Sequence, residues 1–133
     1  MPLSIFLVED DPVLRDSLVA LLDSSGVAKV IDTAASEHET LAWLGSGART
    51  WDLMVLDLAL AGGTGFGVLR KMEALDRERV IVLTNSATDE NRAHCRASGA
   101  SAVFDKTTEL AEFLDHCAAR RQARRSPAVH AQP

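Results

Sequence analysis

Three short runs in this chain are apolar at nearly every position, and each closes on an oxygen-bearing side chain. Leu3–Val8 (LSIFLV) runs into Glu9-Asp10-Asp11, the apolar interior of Asp52–Asp57 (DLMVLD) ends on Asp57, and Val80–Leu83 (VIVL) ends on Thr84. A strand with one face in water alternates apolar with polar residues. A strand that does not alternate must be covered on both faces, which is the condition of a strand inside a parallel sheet layered by helices. This one feature points to a parallel sheet covered by helices.

The segments between the runs supply the helices. Pro12–Leu22 places Val13, Leu14, Leu18, Leu21 and Leu22 on one helical face, with Asp11 as a capping acid before a proline at the first position. Further helices are predicted at Ser36–Leu44, Phe66–Leu75, Thr88–Ala97 (capped by Thr88 or Ser86) and Thr108–Ala119, with shorter strands at Val27–Ile31 and Ala102–Phe104. Five strand–helix units in alternation predict an α/β fold: a five-stranded parallel sheet, doubly wound into a (βα)5 sandwich of flavodoxin-like size. With 133 residues there is room for one domain, expected over residues 1–119. Residues 120–133 have no apolar face and are expected to form a basic, disordered tail, with no second domain after Ala119. No apolar run reaches the roughly 18 residues of a membrane span, and acids interrupt the N-terminus before a signal core could form, so a cytoplasmic protein is expected. Cys95 and Cys117 read as free thiols of a reducing compartment.

Charge sharpens the functional reading. The net charge is −5, but Arg120, Arg121, Arg124 and Arg125 fall in the tail; without them 10 basic residues face 19 acids, a balance of −9. Such a globule repels nucleic acid and suits a cation. In an open α/β sheet ligands bind beyond the C-terminal ends of the strands. Those ends carry Glu9-Asp10-Asp11, Asp57, Thr84 and Asp105-Lys106, with Asp32 as an outlier on the second strand. Clustered carboxylates repel one another, and a hard cation bound through oxygen, above all Mg2+, relieves that repulsion. A lysine and a hydroxyl beside such an ion are what a transferring phosphoryl group needs, and a carboxylate can itself be the nucleophile.

Leu7-Val8-Glu9-Asp10-Asp11-Pro12, Val55-Leu56-Asp57, Val82-Leu83-Thr84 and Phe104-Asp105-Lys106, in this order and at strand ends, resemble the receiver domain of two-component response regulators, from residue 3 to about 118. The resemblance implies a phosphoryl-accepting switch rather than an enzyme with an outside substrate. Asp57 would be the phosphoacceptor for a sensor histidine kinase or a histidine phosphotransfer protein. Glu9, Asp10, Asp57 and the backbone carbonyl of Ala59 would hold Mg2+. Lys106 would pair with a phosphoryl oxygen, and Thr84 would carry the switch. Asp11 needs no role beyond its helix cap. The implied output is docking of a downstream protein on the face of Thr88–Ala97, Ala102–Phe104 and Thr108–Ala119, with a dimer formed on phosphorylation left open, and with no specific nucleic acid and no membrane as partner.

Two departures stand out. Thr107 follows the lysine where the family has a proline in a cis peptide; a non-proline cis bond costs about 2.5–4 kcal/mol, so a trans bond is expected. Val103 occupies the position of the family's aromatic switch residue, and Phe104 should point to the opposite face of the strand. These departures motivate an alternative, a degenerate receiver that binds proteins without phosphorylation; the complete set of Glu9, Asp10, Asp57, Thr84 and Lys106 argues against it. Gly62, Gly63, Gly65 and Gly67 do not spell G-x-G-x-x-G, because Val68 stands at the third glycine, and they read as a flexible loop. His94-Cys95 and His116-Cys117 lie mid-helix, where adjacent side chains diverge, and do not read as zinc ligands. Trp43 and Trp51 read as packing.

Overall fold

The computed structural model describes residues 1–47 and 49–124. Five strands, β1 (Leu3–Val8), β2 (Ala28–Ala34), β3 (Leu53–Leu56), β4 (Val80–Thr84) and β5 (Ala102–Asp105), pair in parallel in the order β2-β1-β3-β4-β5. This is the doubly wound parallel sheet expected from the non-alternating runs. The chain moves from β1 outward to β2, then returns past β1 to lay down β3. The direction of winding therefore reverses between β1 and β3, the two strands that end at Glu9 and Asp57.

Side chains alternate along β1 into two separate cores. Ile5 and Leu7 pack with Leu18 and Leu22 of α1 (Pro12–Ser24) and Phe113 and Cys117 of α6 (Leu110–Arg124). Phe6 and Val8 pack on the other face, under α2 (Glu37–Ser46), α3 (Gly65–Lys71) and α5 (Asp89–Ala97), with Val68, Leu69 and Cys95 among their neighbours. Each large side chain so buried contributes about 1.5–3 kcal/mol. A single turn, α4 (Ala74–Arg77), joins α3 to β4.

Helix starts follow the capping residues. Asp11 accepts from the Val13 and Leu14 N–H groups ahead of Pro12, Ser36 accepts from Glu39 N–H, Thr64 from Gly67 N–H, and Thr88 from Asn91 N–H. Trp43 stacks on Phe6 at 3.9 Å and donates its indole N–H to Asp32 Oδ2 at 2.9 Å, which accounts for the outlying acid of β2. Trp51 lies 3.7 Å under the Arg79 guanidinium. Both tryptophans are packing residues.

Several expected boundaries are corrected. β2 runs to Ala34, not Ile31, because pairing with β1 continues to Val8↔Ala34 after a register shift between Ile5 and Phe6. The helix expected over Phe66–Leu75 stops at Lys71: Arg77 donates to the Met72 and Arg70 carbonyls at 3.0 and 3.2 Å, taking the place of further helical donors. Val13 and Leu14 are exposed rather than packed, since the first turn of α1 projects past the strand ends and the buried face begins at Leu18. The last helix starts at Leu110 because Asp105 Oδ1 holds the Thr107 and Thr108 N–H groups in a preceding turn. It also continues through Arg124, five residues into the segment expected as tail. Arg121 and Arg124 reach back to the Met1 and Pro2 carbonyls, and Arg124 pairs with Asp52 at 2.7 Å, so these charges are anchored rather than free. The rest of the expected tail, 125–133, lies outside the described residues.

Candidate functional site

Backbone bonds that extend the sheet by one residue set the acids in place. Glu9 N–H donates to the Ala34 carbonyl at 2.9 Å, and Asp57 N–H to the Val8 carbonyl at 3.2 Å. Lys106 N–H donates to the Thr84 carbonyl at 3.1 Å, bringing the lysine to the same rim from β5. One carboxylate oxygen each from Glu9, Asp10 and Asp57 lies within 4.8 Å of the others. Lys106 Nζ joins two of them, donating to Asp57 Oδ2 at 2.6 Å and to Glu9 Oε1. The side chains of Glu9, Asp57 and Lys106 are only 2%, 8% and 9% exposed, while Asp10 is half-buried and opens the cluster to solvent.

The ammonium decides the electrostatics. Burial pushes the Glu9 carboxyl above its ordinary value, against the opposing hydrogen bond from Lys106. Burial also opposes charge on Lys106, but its bonds to Asp57 and Glu9 outweigh that and hold it above the ordinary lysine value. Three N–H donors facing two carboxylates are a site for a charged lysine. The set of three carboxylates, with no nitrogen or sulfur donor, fits a small hard cation. Among the described residues this is the one group of side chains placed to hold a metal ion. Cys95 and Cys117 are buried in the two different cores, and burial pushes Cys117 up to about 12, so both thiols are packing residues.

The loop after Asp57 is fastened. Ala59 N–H donates to Asp57 Oδ1 at 3.3 Å, and Ala59 bridges Thr64 in an antiparallel pair closed by Gly65 N–H to the Leu58 carbonyl at 2.9 Å. In that pattern Ala59 and Thr64 face each other without exchanging hydrogen bonds, which leaves the Ala59 carbonyl outside the ladder. The glycine-rich segment is therefore a held turn, not the flexible loop expected.

Thr84 is buried, and its Oγ1 accepts from Ser86 N–H at 3.2 Å, leaving the hydroxyl hydrogen available. No cis peptide occurs among the described residues, so Lys106–Thr107 is trans as expected, and Thr107 Oγ1 lies 3.3 Å from Asn85 Oδ1 across the two loops. Val103 packs toward α5, whereas Phe104 turns to the opposite face against Phe113 and His116. Phe104 therefore does not stand in for an aromatic at 103.

Two residues of this region carry no signal in the sequence. Arg92, on α5, donates to the Ala87 carbonyl at 3.0 Å, to the Val103 carbonyl at 3.1 Å and to Glu109 Oε1, which also accepts from Asp105 N–H at 2.9 Å. It ties the loop after Thr84 to β5 and to the start of α6. Glu37, on α2, holds Thr64 N–H at 3.2 Å and Lys71 Nζ at 2.7 Å. Each looks like an ordinary helix-surface charge until the partners 11 to 34 residues away are placed beside it.

A family model described as the response regulator receiver domain matches residues 5–118. The chain is 33% identical over 103 residues to the DNA-binding transcriptional activator DevR/DosR of Mycobacterium tuberculosis, covering 77% of this chain and 46% of that one. It is 30% identical over 128 residues to response regulator Rre1 of Synechocystis sp., covering 92% and 54%. The chain thus spans about half the length of these relatives. A crystal structure of a LuxR-family two-component response regulator from Aurantimonas sp. SI85-9A1 superposes with a TM-score of 0.81 at 24% identity, over 92% of this chain and 87% of that one, a likeness of fold.

Proposed function

The chain belongs to the response regulator receiver domain family of two-component systems, and from that premise we propose that Asp57 is its phosphoacceptor within a site completed by Glu9, Asp10, Thr84 and Lys106. The observation that carries this reading is the Lys106 ammonium shared between Asp57 and Glu9, with Asp10 within reach of both. The switch takes its phosphoryl group from a sensor histidine kinase or a histidine phosphotransfer protein and turns over no outside substrate.

In the transfer an Asp57 carboxylate oxygen forms an O–P bond as the N–P bond of the donor's phosphoimidazole breaks, the imidazole nitrogen keeping the electron pair. Glu9, Asp10, Asp57 and the Ala59 carbonyl are the groups that would hold Mg2+, which when bound supplies positive charge against the phosphoryl oxygens. Lys106 is already 2.6 Å from Asp57 Oδ2 and can donate to a phosphoryl oxygen without rebuilding its surroundings. Thr84 turns its free hydroxyl hydrogen to another such oxygen, which draws on the loop through Ser86. That loop meets the face of α5, β5 and α6 through Arg92, and this face docks the downstream protein. A degenerate, phosphorylation-independent receiver is disfavoured by the buried lysine, which has no packing reason to sit between two acids.

The test is intact mass after incubation with acetyl phosphate, with and without Mg2+, on the unaltered chain and on Asp57→Asn. One acid-labile phosphoryl adduct that needs Mg2+ and disappears in Asp57→Asn is expected. An adduct that survives Asp57→Asn, or forms equally in EDTA, refutes the assignment.

A further inference from the structure

Two of the glycines that follow Asp57 have a specific occupant beside them. A Cβ built on Gly67 would meet Glu37 Oε1 and lie 2.7 Å from its Cδ, and one on Gly63 would lie 2.6 Å from Glu37 Cβ. Gly63 and Gly67 together leave a slot that only a side chain from outside the loop fills, and the Glu37 carboxylate fills it. Relieving contacts under 3.0 Å there requires the Glu37 carboxylate to leave the position its two bonds give it. Oε1 is engaged with Thr64 N–H at 3.2 Å and Oε2 with Lys71 Nζ at 2.7 Å.

These contacts run to the acid cluster in three short steps. Glu37 fixes Thr64, whose hydroxyl also caps α3 through Gly67 N–H at 3.1 Å. Thr64 bridges Ala59, and Ala59 N–H bonds the Asp57 carboxylate at 3.3 Å. The backbone adds two clamps between the same segments: Glu37 N–H to the Gly62 carbonyl at 2.9 Å, and Ala61 N–H to the Ala35 carbonyl at 3.2 Å. The whole loop from Asp57 to Gly65 is therefore strung on the first turn of α2. Without an anchor, a segment rich in glycine has more backbone freedom to lose on ordering than any other.

We propose that Glu37 is a positioning residue for the phosphoacceptor site: its carboxylate, seated between Gly63 and Gly67, holds Thr64 and through it Ala59 in the arrangement that presents the Ala59 carbonyl and the Asp57 carboxylate to a divalent cation. The inference rests on the reading of the acid cluster as a cation and phosphoryl site. It assigns to a side chain on another helix the task of ordering one of that site's edges, and it gives Gly67 a reason and Gly63 one beside its positive φ. Glu37 itself touches neither the acid cluster nor Lys106.

The experiment is a double-mutant cycle of Glu37→Ala and Gly67→Ala, with Glu37→Gln as the conservative variant. Two quantities are read: amide hydrogen exchange at Ala59 and Thr64 in metal-free protein, and Mg2+ affinity by calorimetry. Glu37→Ala removes the acceptor of one backbone hydrogen bond and an ion pair, so Mg2+ binding weakened about three- to tenfold is expected, with faster exchange at both amides. Gly67→Ala evicts the carboxylate and gives the same pair of changes. Combined with Glu37→Ala it adds nothing further, because the methyl then enters an empty slot. Glu37→Gln keeps an oxygen for Thr64 N–H and stays within about twofold of the unaltered chain. Additive effects in the cycle, or faster exchange with Mg2+ affinity unchanged, overturn the proposal. An unaltered chain that binds no Mg2+ refutes the reading of the acid cluster itself, a result distinct from normal binding by every variant, which refutes the role of Glu37 alone.

Discussion

Replacing Lys106 with methionine keeps the side-chain volume and removes the one cation between two buried carboxylates. Glu9 and Asp57 are then left 2% and 8% exposed with no ammonium to hold them apart. Taking one partner out of a buried ion pair costs about 3–5 kcal/mol. Two carboxylate oxygens within 4.8 Å of each other repel by about 3.5 kcal/mol or more at an effective dielectric constant near 20, so the two routes to the magnitude agree. At roughly 3 °C per kcal/mol for a domain of this size, the melting temperature in EDTA at pH 7 should fall by about 10–15 °C. A divalent cation should restore much of that loss, because it binds the same carboxylates that the ammonium held apart. A concentration of 100 times the dissociation constant stabilises the folded state by about 2.7 kcal/mol. In the unaltered chain Lys106 already offsets part of the charge of the acids, so the same Mg2+ should raise its melting temperature by less. The assay is thermal unfolding of both proteins in EDTA and across an Mg2+ series, beside the rate of Asp57 labelling, which should fall sharply in the variant. A variant that melts with the unaltered chain in EDTA, or gains no more than that chain from Mg2+, would refute the electrostatic reasoning.

Other outcomes follow from single contacts. His116 Nε2 is buried without a hydrogen-bond partner, and burial, aided by Arg120, holds its imidazole below the ordinary histidine value. A histidine kept neutral in the fold makes stability fall as pH drops below about 6.5, where the unfolded chain takes up the proton. His116→Leu should therefore melt higher than the unaltered chain, by a margin that grows from pH 8 to pH 5.5; a constant margin refutes this account. Arg92→Met frees the Ala87 and Val103 carbonyls together, so amide exchange across Asn85–Thr88 should accelerate while that of β1 does not, as read by mass spectrometry. Asp11→Ala removes the α1 cap, at a cost of about 1 kcal/mol in urea unfolding, and should leave Mg2+-dependent labelling nearly intact.

Much of the site was legible because its residues close strands. Glu9, Asp57 and Thr84 each close a run whose burial on both faces is written in its composition, and a residue at the end of such a run has only the rim of the sheet to occupy; Lys106 follows the edge strand β5 and reaches the same rim from it. Asp10 and Ala59 come with their neighbours. The glycine cluster reads as flexible in the sequence, since composition reports only that the backbone is free there. Whether a neighbouring side chain takes up that freedom depends on where α2 lands relative to the loop. Glu37 and Arg92 were invisible for the same reason.

The boundaries divide along the same line. Caps such as Asp11, Ser36 and Thr88 act on N–H groups two or three residues ahead, so local order carries them. The stop of α3 at Lys71 depends on Arg77 reaching back, and the length of α6 on Arg121 and Arg124 meeting the N-terminal carbonyls. Sequence by itself determined the sheet, its burial and the acids on its rim, because hydrophobic periodicity and strand termini are properties of neighbouring residues along the chain. Only the tertiary structure decided which charges meet across it, because hydrogen bonds and ion pairs act over a few ångströms, and partners as far apart as Glu9 and Lys106 come within that range only once the strands have paired.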